Sequence, residues 1–153
     1  MSEKRCGHAS VVLDGKIYTM GGYRSRSLNT VEVYDPQTDS WQQMASMPRC
    51  LYEHAAAAMA GKIYVTGGLS LENPVNSVYV YNPQADAWTQ LVSMSIARRQ
   101  HASAAVGGKL YVFGGHSAEE RLSTAEVYDP ASDSWATESN SIFERSCMVA
   151  VAL

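Results

Sequence analysis

HAAAAMAGKIYVTGG at residues 54–68 and VYVYNPQADAW at residues 78–88 decide the fold, because the chain writes this pair of stretches three times. The pairs Gly21-Gly22, Gly67-Gly68 and Gly114-Gly115 recur 46 and 47 residues apart. Trp41, Trp88 and Trp135 keep a spacing of 47, and so do Tyr34, Tyr81 and Tyr128. A fixed period of this length marks a repeat architecture, in which one supersecondary unit is copied and stacked.

Working outward, each copy divides into four short strands. The first spans residues 8–13, 54–59 and 101–106 and is rich in Ala, Val and Ser on both faces, as in a strand buried on both sides. Asp14-Gly15, Ala60-Gly61 and Gly107-Gly108 then supply hairpin turns. The second strand, Lys16–Met20, Lys62–Thr66 or Lys109–Phe113, ends in the glycine pair, where the missing Cβ lets a neighbour approach the backbone. A variable polar loop follows (23–30, 69–77, 116–124), then a third strand from Val31, Val78 or Ala125. That strand stops at Asp35-Pro36, Asn82-Pro83 or Asp129-Pro130, a turn signal because Pro presets φ and the Asx side chain bonds the backbone. The fourth strand begins at the Trp. Nothing shows helical periodicity.

Four antiparallel strands per 47 residues make a propeller blade, so an all-β partial β-propeller of three blades is expected. Residues 1–4 read as a tail, and the blades as 5–48, 49–95 and 96–141. Residues 142–153 form a surplus: Arg145–Leu153 aligns with Arg5–Leu13, giving four first strands but three sets of the others. An apolar strand left unpaired is an aggregation hazard, so it must pair somewhere. Three blades do not close a ring. Two alternatives stay open: the remainder of a longer propeller, or a homodimer completing six blades, in which the Leu153 end and a partner's first strand compete for one slot.

Composition narrows the function. With 46% hydrophobic and 18% charged residues the chain suits a globular fold. A net charge of −3 gives no reason to expect nucleic acid or an acidic membrane, and the longest apolar run, 147–153, is too short to span a bilayer. Cys6, Cys50 and Cys147 have neither metal spacing nor an even count, and the start is polar. A cytoplasmic, or nuclear, setting is therefore expected.

The spacing of Gly-Gly, Tyr and Trp resembles the kelch repeat, most of all the kelch domains of Kelch-like proteins, with their Tyr-Asp-Pro and their Met-Pro pairs such as Met47-Pro48. The resemblance implies a module that recognises a protein substrate or peptide degron for a cullin-3 ubiquitin ligase, here without the BTB region. An actin- or cytoskeleton-binding kelch protein is the alternative, and a kelch-type copper oxidase or sugar-processing enzyme fragment the alternative of another class. No nucleophile–base pair, paired carboxylates or phosphate loop stands out, so no catalytic residue, cofactor or metal is assigned.

Alternating strand direction puts the second-to-third loops and the blade-to-blade loops on one face. Nine cations and seven glutamates fall there; three lysines and six aspartates fall opposite. Arginine forks suit carboxylates and phosphates, and Arg and Tyr are favoured interface anchors. Tyr23, Arg24, Arg26, Arg49, Tyr52, Arg98, Arg99, His116 and Arg121 are thus the candidate contacts for an acidic or phosphorylated partner, the face on which the resemblance also places the substrate peptide. Arg5, Arg98 and Arg145 occupy equivalent positions, for which a structural role is the stronger alternative. His8, His54 and His101 are equivalent too; a bond to the next blade is favoured over a metal, since Met148 takes the fourth position. Cys50 beside Arg49 could be a lowered-pKa, redox-sensing thiol, with an inert thiol the default.

Overall fold

The computed structural model describes residues 1 and 3–138. Its first sheet orders β1 (Ala9–Leu13), β2 (Lys16–Met20), β3 (Val31–Asp35) and β4 (Ser40–Met44). The second takes β5 (Ala55–Met59), β6 (Lys62–Thr66), β9 (Val78–Asn82) and β10 (Ala87–Leu91). Between β6 and β9 lies a small hairpin of β7 (Leu69–Ser70) and β8 (Asn73–Pro74). The third sheet holds β11 (Ala102–Val106), β12 (Lys109–Phe113), β13 (Ala125–Asp129) and β14 (Ser134–Glu138). All pairings are antiparallel and no helix occurs among the described residues, so three blades of a partial propeller are present. The surplus strand expected at 142–153 lies outside the described residues.

Local chemistry explains the hairpins. Asp14 and Gly15 adopt φ of 51° and 72°, and Gly107 and Gly108 adopt 59° and 76°, the left-handed pair a two-residue turn requires. Ala60 takes φ 51° in the same turn of blade 2, without the glycine that would make it free of strain.

Packing follows from one cross-strand row per blade. In blade 2 Ala58, Ile63, Tyr81 and Trp88 lie side by side across four strands; in blade 3 the row is Ala105, Leu110, Tyr128 and Trp135. Each row faces the blade before it. Ile63, Tyr81 and Leu110 are fully buried, each contributing about 1.5–3 kcal/mol of apolar burial. Tyr81 meets Tyr18 of blade 1 at 6.3 Å between ring centroids, and Tyr128 meets Tyr64 of blade 2 at 6.4 Å. Trp88 Nε1 donates to Ala45 O at 2.9 Å and Trp135 Nε1 to Val92 O at 3.0 Å, so each tryptophan closes the free end of the preceding blade.

The equivalent row of blade 1 is Val12, Ile17, Tyr34 and Trp41. Among the described residues no blade precedes it. Val12 is 67% exposed and Trp41 41%. Trp41 is thus more exposed than Trp88 and Trp135, because among the described residues it lacks the neighbour that half-buries its counterparts.

Candidate protein-interaction face

The inner strands are stitched together where they emerge on the loop face. Gly7, Glu53 and Gln100 occupy equivalent positions at φ of 59°, 55° and 53°. Glu53 N donates to Gly7 O at 2.7 Å, and Gln100 N donates to Glu53 O at 2.9 Å, forming a backbone belt from blade to blade. Just outside it, Cys6, Tyr52 and Arg99 each exchange two backbone hydrogen bonds with Tyr23, Leu69 and His116 at the roots of the variable loops.

On this scaffold the candidate contacts separate by depth. Arg24, Arg26, Arg49 and Arg121 are exposed, while Tyr23, Tyr52, Arg99 and His116 are half-buried. Arg24, Ser25, Arg26, Leu28 and Glu3 line a hollow of about 440 Å³ over blade 1. A second hollow of about 470 Å³, over blades 2 and 3, includes Tyr52, Glu53, Leu69, Glu72, Arg99 and Ser117. Between them the Tyr23 and Tyr52 rings meet at 5.3 Å. Burial and the neighbouring Glu72 carboxylate hold the Tyr52 phenol above its ordinary pKa.

Arg98 must be removed from the candidate contacts. It is fully buried, with Nη1 donating to Gly114 O at 2.8 Å and to Thr124 O at 3.2 Å. Its Nη2 lies 2.8 Å from Glu126 Oε1, and both side chains are wholly enclosed. Arg5 repeats the arrangement with Glu32 at 2.8 Å. Arg99 is partly committed through a 2.8 Å ion pair with Glu53, which ties blade 3 to blade 2. The excess of cations on this face thus shrinks, and the exposed positive charge concentrates over blade 1.

Sequence reasoning missed the partners of these arginines, although the repeats carry the signal. Glu126 also accepts from Ser95 N at 2.7 Å, Ser95 Oγ at 2.6 Å and Ile96 N at 3.2 Å. One repeat earlier, the positions of Arg98, Glu126 and Ser95 hold Leu51, Tyr79 and Pro48. The charged pair becomes an apolar one, buried like its counterpart, and the backbone donor disappears with it because Pro has no N–H.

The histidines act between blades. His101 Nε2 lies 2.9 Å from Thr66 Oγ1, toward the preceding blade rather than the next, and the buried His54 ring packs against Gly21 of blade 1. A Cβ at Gly21 would lie 2.7 Å from His54 Cε1, and one at Gly67 would lie 2.7 Å from His101 Cε1, so these glycines make room for the rings. Burial lowers the pKa of His54 to about 4 and of His101 to about 3. Among the described residues no three His, Cys, Asp or Glu side chains converge as a metal site. Cys6 and Cys50 are exposed free thiols, and Cys147 lies outside the described residues.

Residues 1–143 match the KLHDC2/KLHL20/DRC7 Kelch-repeats domain. The chain is 38% identical over 69 residues to Kelch-like protein 33 of Homo sapiens, covering 44% of this chain and 13% of that protein. It is 41% identical over 71 residues to the Influenza virus NS1A-binding protein homolog of Mus musculus, covering 44% of this chain and 11% of that one. Beta-scruin of Limulus polyphemus is 36% identical over 72 residues, covering 46% of this chain and 8% of its own length. The chain thus spans a small fraction of the length of the curated relatives it matches.

Proposed function

The chain belongs to the Kelch-repeats domain family, a family of protein-interaction modules, and from that premise we propose that its loop face captures an acidic or phosphorylated segment of a protein partner. The observation that carries this reading is the hollow over blade 1, where Arg24 and Arg26 stand exposed beside the Tyr23–Tyr52 ring pair. Exposed guanidinium groups present forks that match carboxylate or phosphate, and neighbouring tyrosines add contact area at low entropic cost. Arg49, Arg121, Arg99 and His116 extend the contact; Arg98 supports it from below.

In this reading the partner is a substrate of a cullin-3 ubiquitin ligase, the chain acts in the cytoplasm or nucleus, and capture is its whole task. Similarity to Kelch-like protein 33 supports the adaptor setting, and the name of the NS1A-binding relative supports binding of a protein.

The test is an array of immobilised acidic, phosphorylated, neutral and basic peptides probed with the purified chain. Acidic or phosphorylated peptides should be retained, and the Arg24→Glu/Arg26→Glu variant should lose at least tenfold in affinity with an unchanged melting temperature. Equal retention of basic peptides, or capture that survives the double reversal, refutes the assignment. Co-isolation with cullin-3 tests the ligase setting separately.

A further inference from the structure

The two hollows of the loop face are lined by charges of opposite balance. Over blade 1, Arg24 and Arg26 stand against Glu3. Over blades 2 and 3, Glu53 and Glu72 stand against Arg99. Arg99 is committed to Glu53 through their 2.8 Å ion pair, and among the described residues Glu72 has no cationic partner. The wall made by Ser117 and Ala118 runs on into Glu119 and Glu120 before Arg121, all three exposed, so the wider rim keeps the negative sign. Leu69 and Pro74 give the same hollow an apolar side. The blade 2 hairpin adds a second, independent feature. Leu69 pairs with Pro74 and Ser70 with Asn73, which leaves Leu71 and Glu72 as the two turn residues. Both take the left-handed φ, 50° and 65°, that Asn or Gly would adopt with less strain. The strained turn holds Leu71 at its tip, 86% exposed, beside the exposed Glu72. Leu71 therefore adds almost nothing to the core of its own chain.

We propose that the hollow over blades 2 and 3 is a second subsite for the captured segment, that it takes a lysine or arginine side chain next to an apolar residue, and that the ligand is therefore bipolar. This rests on the reading of the blade 1 hollow as the seat of an acidic or phosphorylated group, and supplies the other end of the ligand. Charge complementarity names the occupant. A long cationic side chain lays its stem along Leu69 and Pro74 and brings its charged head to Glu72, the carboxylate that Arg99 does not neutralise. The Tyr52 ring, which also lines the hollow, offers the cation an aromatic face. Leu71 at the hairpin tip covers the apolar neighbour. An acidic side chain entering the same place meets Glu72 with Arg99 already paired, so the subsite discriminates against a segment that is acidic throughout. With the Tyr23–Tyr52 ring pair between the hollows, the segment lies acidic end over blade 1 and basic end over blades 2 and 3.

Fluorescence anisotropy of labelled synthetic peptides on the full chain tests this. The acidic probe carries a pair of glutamates, a leucine and a pair of alanines; the bipolar probe replaces the alanines with lysines; the basic probe keeps the lysines and replaces the glutamates with alanines. Each is made in both chain directions. In the better direction the bipolar probe should bind about fivefold more tightly than the acidic one, the worth of one partly screened ion pair. Glu72→Gln should bring those two probes to equal affinity; the side chain is exposed, so the melting temperature should not move. Equal affinities for the wild-type chain in both directions overturn the proposal, as does a lysine-dependent gain that persists in Glu72→Gln. The two subsites report separately. If the acidic probe does not bind while the basic probe binds through Glu72, the blade 1 reading falls and the cation subsite stands; binding of none of the probes overturns both.

Discussion

Replacing Arg98 by Leu should be among the most damaging single changes available to this chain. The guanidinium leaves behind a buried Glu126 carboxylate whose remaining donors come from Ser95 and Ile96, and a Gly114 carbonyl without its 2.8 Å donor. Thr124 O fares better, since Gly114 N still reaches it at 3.1 Å. Removing one member of a buried pair costs about 3–5 kcal/mol. At about 2–4 °C per kcal/mol for a chain of this size, the melting temperature should fall by roughly 10 °C. The triple variant Arg98→Leu/Glu126→Tyr/Ser95→Pro instead installs the set that the chain already holds one repeat earlier in Leu51, Tyr79 and Pro48. Exchanging a buried ion pair for packed apolar groups is often neutral, so the triple should return to within about 1–2 kcal/mol of the parent. Urea unfolding followed by tryptophan fluorescence measures both. If the triple is as unstable as Arg98→Leu, the three positions are not the coupled set that the two repeats display.

Acid should destabilise the fold before it reaches the carboxylate range. His54 and His101 titrate near 6.5 when unfolded but only at about 4 and about 3 when folded. Their contribution is therefore intact above pH 6.5 and is lost as pH falls toward those folded values, with each costing about 2 kcal/mol by pH 5. A urea midpoint that stays constant from pH 7 to pH 5 contradicts the burial of the two rings. The glycines should differ by position. Gly67→Ala sets a Cβ against Arg98 O and His101 Cε1 at φ 57°, and should cost more than 2 kcal/mol by the rules for overpacking a core. Gly61→Ala meets nothing within 4 Å and should cost about 1 kcal/mol, the backbone strain alone; equal melting temperatures for the two would refute the role of Gly67 as a seat for the ring.

The blades were legible because their determinants are local and repeated. Gly-Gly, the Asx-Pro turn and the Trp each act within a few residues, and three copies remove the ambiguity that one apolar run would leave. The strand boundaries shift by a single residue, the fourth strand starting at Ser40, Ala87 and Ser134 rather than at the Trp. The small hairpin of blade 2 was not legible, because Leu71 and Glu72 turn at φ of 50° and 65° without Gly or Asn to announce it. Side-chain fate was the harder part. Arg98 and Arg99 are adjacent in sequence, yet one is sealed on Glu126 and the other reaches the rim; burial there depends on residues 28 and 46 positions away. The bare Trp41 is a matter of what lies beside blade 1, which no local pattern encodes.

The belt on the loop face separates geometry from identity. Glu53 commits its N–H to Gly7 and its carbonyl to Gln100, so main-chain atoms alone fix where the neighbouring rim positions stand. Cys6, Tyr52 and Arg99 occupy one such station with no chemistry in common. Side chains there can be exchanged like type in a printing frame: the recognised sequence can drift, or be rewritten by grafting, while the frame that holds the letters stays set.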